Sequence, residues 1–231
     1  MNDFVSNSLF FGVFISIAGY SLGLFLKSKI RSALCNPMLI SIIFVILFLL
    51  VCDISYEAYN SSAKYLSYLL TPTTVCLAVP LYRRLSVLKQ YPVAILVGLL
   101  SGVAASLLSV YLLSVILGFD RTMLATLLPK SVTTAIGMEL ASEIGGNGSI
   151  AAAVIVVTGV LGNIIADGVC KLFRITHPVA KGLAIGCAAH AVGSARAMEL
   201  GETEGAMSSL AIAVCGLMTV VLAPIFSNFP I

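Results

Sequence analysis

Charge is what this sequence has least of. Only 10% of its 231 residues are Asp, Glu, Lys or Arg, and tryptophan is absent. Soluble globular domains carry roughly 25% charged residues, so there is too little polar surface here to coat a soluble globule. That excludes a soluble enzyme domain, a disordered chain and a secreted disulfide scaffold as first readings. The net charge of +3 supplies no basic stripe, which argues against nucleic acid as a partner. The six cysteines, Cys35, Cys52, Cys76, Cys170, Cys187 and Cys215, form no C-x-x-C or Cys/His metal spacing. Most lie in apolar runs, where a thiol behaves as a small hydrophobe, so no disulfide, metal or other cofactor is expected. Ser194 lacks a G-x-S-x-G frame and no glycine-rich phosphate loop follows a strand, so no enzyme chemistry is expected. The amino terminus has neither a basic n-region nor a small-residue cleavage site, and its apolar run is read as the first mature span rather than a signal peptide.

What the chain does have is apolar length. Hydrophobic residues make up 59% of it, and the mean hydropathy is +1.08. A spanning helix needs about 20 mainly apolar residues. Six runs are read as spans: Ser8–Leu26, Pro37–Cys52, Leu66–Leu81, Pro92–Leu117, Ser149–Val169 and Gly205–Phe226, of which Pro37–Cys52 and Leu66–Leu81 are short and would extend into their flanks. Tyr56, Tyr59, Tyr65, Tyr68, Tyr82 and Tyr91 fall near span ends, where an aromatic belt belongs.

Two further segments, Thr122–Ile144 and Val179–Leu200, are rich in Ala, Gly, Ser and Thr, carry charge, and are weakened in the middle by Pro129 and by Gly186 and Gly193. Such segments survive at membrane depth only when buried in protein or lining a wet cavity. Basic residues cluster after span one (Lys27, Lys29, Arg31), span three (Arg83, Arg84, Lys89) and span five (Lys171, Arg174, Lys181). If all three clusters are cytoplasmic, Thr122–Ile144 begins and ends outside and Val179–Leu200 begins and ends inside. The expected fold is therefore an all-α polytopic membrane protein with about six spanning helices and two opposed re-entrant or broken helical hairpins. The alternative has eight spans.

An internal repeat favours the first arrangement. Shifted by 60 positions, Pro129–Asn163 falls on Ala189–Ala223 with eleven of 35 pairs identical, including Met138-Glu139-Leu140 on Met198-Glu199-Leu200. One crossing between the copies makes the repeat inverted, a plan common to secondary transporters. The chain is read as one integral membrane domain, 1–231. Its repeat units are 122–169 and 182–226, and 1–117 forms a scaffold that includes an interrupted third span.

The candidate site residues lie at the interruptions. In Leu128–Glu139, LPKSVTTAIGME, Pro129 frees backbone groups and Lys130, Ser131, Thr133 and Thr134 follow. On one helix Lys130, Thr133, Thr134 and Gly137 share a face. An ammonium, hydroxyls and a helix start together suit a carboxylate, and an ionisable group inside a membrane segment points to function. The alternative is a lysine that snorkels to the interface. In the second segment His190, Gly193, Ser194 and Ala197 repeat that spacing, with His190 opposite Lys130. His190 either contacts substrate, carries a proton or is satisfied by carbonyls. Arg196 and Glu199 suit an ordinary i, i+3 ion pair; Arg196 as a carboxylate clamp is the second reading. Glu139 and Glu199 face away from Lys130 and His190 and read first as hairpin-end anchors, with proton coupling behind that. Thr73 and Thr74, beside Pro72 in the third span, either line the pathway or re-satisfy freed backbone. Asn163 is expected to bond a neighbouring helix, and Gly98 and Gly102 to mark close helix packing.

At LTPTTVCLAVPLY (Leu70–Tyr82), LLPKSVTTAIGMELA (Leu127–Ala141) and GLAIGCAAHAVGSARAMELGETEGAMSSLA (Gly182–Ala211) the chain resembles the LrgB/CidB family of bacterial membrane proteins. That family was named for holin/antiholin-like control of murein hydrolase export and cell lysis. Relatives are reported to carry small carboxylates such as pyruvate, and the plastid glycolate/glycerate translocator fuses an LrgA-like part to an LrgB-like part. The resemblance implies a multi-pass protein of the bacterial inner membrane, working with a small LrgA/CidA-type membrane partner, a small carboxylate as substrate, and a possible homo-oligomer. Cys76 and Cys187 stand where that family leads one to expect small residues such as Ala.

Overall fold

A computed structural model describes residues 8–30, 36–69, 72, 75–76, 78–83 and 85–230. All regular structure among them is helical, and the chain divides into two compact units, Met1–Cys76 and Leu77–Ile231. Among the described residues four helices are long and apolar enough to cross a membrane. The protein is an all-α multi-pass membrane protein.

In the first unit, α1 (Phe11–Lys29) packs on α2 (Pro37–Val51), and α3 (Tyr56–Ala63) closes the unit. Asn36 starts α2 by accepting from the Met38 and Leu39 amides, and Pro37 sits where a missing N–H costs nothing. Ser62 accepts the Gly12 amide at 2.8 Å, and Ser16 and Tyr59 share a hydrogen bond at 2.7 Å. The expected third span does not form one helix among the described residues. Lys64–Leu69 is a 3-10 turn of the first unit, and Ala78–Arg83 (α4) and Leu85–Gln90 (α5) are six-residue helices of the second. Thr73 and Thr74 lie outside the described residues.

The second unit holds the long helices α6 (Pro92–Leu117), α9 (Gly148–Leu172) and α11 (Glu202–Ser227). At about 1.5 Å per residue their 25–26 residues exceed the hydrocarbon thickness of about 30 Å. Leu99, Leu107, Leu124, Leu128 and Met207 are among its fully buried side chains, while Val97, Leu112, Leu217 and Val221 point outward, as lipid-facing positions should.

Between α6 and α9 the chain folds back on itself. Asp120 caps α7 (Arg121–Leu127) by accepting from the Met123 amide at 2.8 Å. A tight turn, Leu128–Ser131, follows; Val132 and Thr133 are extended, and α8 (Thr134–Glu143) returns. The Asn147 amide donates to Thr126 Oγ1 at 2.8 Å, which brings the end of the returning arm back beside the outgoing one. Arg121 donates to the Asn228 carbonyl, so the mouth of this hairpin lies at the end of α11.

The second hairpin is α10 (Pro178–Leu200), bent at His190, whose backbone (φ 36°, ψ −127°) breaks the helix without proline or glycine at that position. The contacts fix its path. Gly182 and Gly186 of the outgoing arm (178–189) abut Glu204 and Ser208 in turn, so that arm runs with α11. Ser194 meets Ser208 and Met198 meets Gly205, so the returning arm (191–200) runs against it. A Cβ on Gly193 would sit 2.6 Å from Ala189 Cβ and 3.0 Å from the Ile185 carbonyl oxygen, a proximity that only a fold-back produces. Both ends of this hairpin reach one hollow with Asp167, Lys171 and Arg174, at the end of α9. The two hairpins therefore enter from opposite ends. By the positive-inside rule the end carrying Lys89, Lys171, Arg174 and Lys181 faces the cytoplasm.

Candidate substrate cavity

The tips of the two hairpins stop halfway along the long helices. The first reaches Ser106 of α6 and the second reaches Gly159 and Gly162 of α9. A cavity of about 1150 Å³ opens between α6, α9, the first tip and the outgoing arm of the second hairpin. It extends from Lys130, Ser131 and Ser106 at mid-depth to Tyr91 and His177 at the basic end, where the two rings meet edge to face at 5.6 Å. Fourteen residues of α6 lie between Tyr91 and Ser106, a run of about 20 Å.

The inner end is polar and cationic. Lys130 Nζ donates to Ser131 Oγ at 3.0 Å and to Ser106 Oγ at 3.4 Å, and Ser106 Oγ donates to Ser131 Oγ at 3.1 Å. No carboxylate pairs with Lys130 among the described residues. The half-buried Lys130 amine is held by the neutral hydroxyls of Ser131 and Ser106. It is complementary to one carboxylate, which would accept charge-assisted hydrogen bonds from the ammonium and a hydroxyl together. The rest of the wall is largely Gly, Ala and Leu, the lining of a site for a small anion with an apolar remainder.

His190 lies directly behind this point. It is 3% exposed, its Cε1 is packed over Gly159, and its ring reaches the Lys130 main chain, so the two tips touch. Its Nε2 has no hydrogen-bond partner among the described residues.

The family of LrgB-like proteins matches residues 16–229. The antiholin-like protein LrgB of Bacillus mycoides (strain KBAB4) is 36% identical over 221 residues, covering 95% of this chain and 96% of that protein. Those of Bacillus cereus (strain B4264) and Bacillus anthracis (strain CDC 684 / NRRL 3495) are 35% identical over the same shares. The chain belongs to the LrgB-like family. No solved structure matches it.

Not every residue singled out from this LrgB-like sequence meets the cavity. Lys130 and Ser131 line it. Thr133 and Thr134 do not share a helix face with Lys130, because extended Val132 and Thr133 separate the turn from α8; both threonines are half-buried at the start of α8. The second expected face fails likewise, since the chain reverses at His190. Gly193 lets the two arms touch, and Ser194 shares a 2.6 Å hydrogen bond with Ser208 of α11. Arg196 is bound to Asp167, and to Glu199 at 2.6 Å, so it clasps the hairpin mouth to α9. Glu199 is exposed there, and Glu139 is exposed near the opposite mouth. Asn163 donates to the Val192 carbonyl at 2.8 Å, satisfying backbone just past the break.

Sequence reasoning missed Ser106 and Ser109. The signal is the stripe Gly98, Gly102, Ala105, Ser109 at helical spacing, with Ser106 at its edge, of which the sequence reading singles out only Gly98 and Gly102, as marks of close helix packing. Gly102 does press on Cys187, but Gly98 has only Leu183 near it, and the stripe forms a cavity wall.

Proposed function

We propose that this LrgB-like protein carries small monocarboxylates of the pyruvate, glycolate or glycerate class across the membrane, binding the carboxylate at Lys130, Ser131 and Ser106. The observation that carries this reading is a half-buried lysine, with no carboxylate partner among the described residues, on the wall of a cavity where the tips of two opposed hairpins meet at mid-depth. Two neutral hydroxyls alone do not offset the cost of burying such a group, which points to a role in binding. An inverted pair of broken segments around one central site is the arrangement that permits alternating access, with the hairpin units moving relative to α6. Control of lysis and of murein hydrolase activity, the role that the family resemblance implies, then follows from altered carboxylate flux. A small LrgA/CidA-type membrane protein is the expected partner.

Proteoliposomes holding the purified chain, with and without the partner, should take up labelled C2–C3 hydroxy- or keto-acids. Lys130→Ala should abolish uptake without lowering membrane insertion. Normal uptake by Lys130→Ala would remove the assigned site. Release of trapped dye without acid selectivity would instead identify a holin-like permeability regulator, which needs no positioned charge.

A further inference from the structure

Cys187 and Cys215 are 28 residues apart in sequence, yet their sulfurs lie 3.0 Å apart. Cys187 belongs to the outgoing arm of the second hairpin and forms part of the cavity wall; Cys215 is in α11 and is 2% exposed. Both are free thiols. Cys187 is held in place from the other side as well: a Cβ on Gly102 of α6 would meet its Sγ at 3.1 Å. The pair thus joins the broken second hairpin to the helix α11, with Cys187 on the cavity wall.

The geometry points to a dithiol modification site, Cys187–Cys215, that closes to a disulfide under a small neutral two-electron oxidant of the peroxide class. This goes beyond the transport reading and does not depend on it. Cys187, the sulfur on the cavity wall, reacts first: it attacks one peroxide oxygen, the O–O bond breaks, and water leaves with the thiol proton, giving a sulfenic acid. Cys215 then attacks that sulfur, the S–O bond breaks, and the second thiol proton leaves with the hydroxyl as water. Two thiols are oxidised, one peroxide is reduced, and two waters form. The sulfurs are already in contact, so closure needs side-chain rather than backbone adjustment. The product ties the hairpin covalently to α11.

The test treats the purified full chain in detergent with hydrogen peroxide, alkylates remaining thiols and maps peptides by mass. The expected result is a Cys187–Cys215 linked peptide, lighter by two hydrogens than the reduced pair and lost on treatment with dithiothreitol. Cys187→Ser and Cys215→Ser should each abolish it. Phenylarsine oxide, which takes two adjacent thiols, should protect both cysteines from alkylation in the untreated protein, an arm that needs no variant to fold. Overturning results are both thiols still alkylated after peroxide, Cys187 linked to a different cysteine, or no protection by the arsenical. None of these bears on acid uptake, so the dithiol and the transport reading stand or fall separately.

Discussion

The two hairpins reach the same depth by different means. The first turns through Leu128–Thr133, where Pro129 cannot continue a helix and two extended residues follow. The second turns at one residue, His190, in a positive-φ conformation that a non-glycine side chain adopts at a cost. The first tip therefore spends several residues on the turn and presents an ammonium and a hydroxyl to the cavity. The second is tight enough for its arms to touch at Gly193 and keeps its imidazole buried behind. One tip lines the cavity, and the imidazole of the other is buried behind it.

Exchanging side chains at the tips sharpens that contrast. Lys130→Met should reduce carboxylate uptake by tenfold or more, yet raise the unfolding temperature in detergent, because removing an unpaired half-buried cation relieves its desolvation. A drop in melting temperature of several degrees would make Lys130 structural. Gly193→Ala should cost about 1–3 kcal/mol, since its Cβ would collide with Ala189, whereas Thr133→Ala, its repeat counterpart, should change stability by under about 0.5 kcal/mol. Equal effects in a denaturation series would erase the distinction between tight and open turns. His190→Gly should retain about 1 kcal/mol more stability than His190→Ala, because glycine accepts the positive φ freely. The reverse ranking would mean the backbone there is unstrained. The smallest effect is expected from Arg196→Ala at the second mouth. Its partners Asp167 and Glu199 are partly exposed, so the loss should stay within about 1 kcal/mol and shrink in high salt.

The sequence carried the second unit's plan well, because membrane depth enforces length and apolarity. Pro92–Leu117 coincides with α6, and the ends of α9 and α11 differ from expectation by a few residues. The opposed hairpins followed from loop charge and the repeat. The finer geometry did not follow, because helical-wheel reasoning assumes an unbroken helix. Thr133 and Thr134 leave the face of Lys130 because Val132 and Thr133 are extended, and Gly193 and Ser194 leave that of His190 because the chain reverses there. Nothing local marks His190 as the bend: it is neither Gly nor Pro, and the return arm's clearance comes from Gly193. Of the third span, expected to be interrupted, the described residues hold the 3-10 turn Lys64–Leu69 and the short helix Ala78–Arg83. The Cys187–Cys215 pair depends on the second hairpin's path along α11, which no local pattern encodes.

The seam between the second hairpin and α11 has a consequence for mutational tolerance. Gly182 and Gly186 lie against the backbone of Glu204 and Ser208, with Ala206 and Ala211 wholly enclosed nearby. In most proteins a saturation library is harshest at the bulkiest interior positions. Here the ranking should invert: the tiniest residues will reject every substitution, since each added methyl meets main chain that cannot yield. Leucines and valines on the outer faces of α6 and α11 should accept almost any oily replacement.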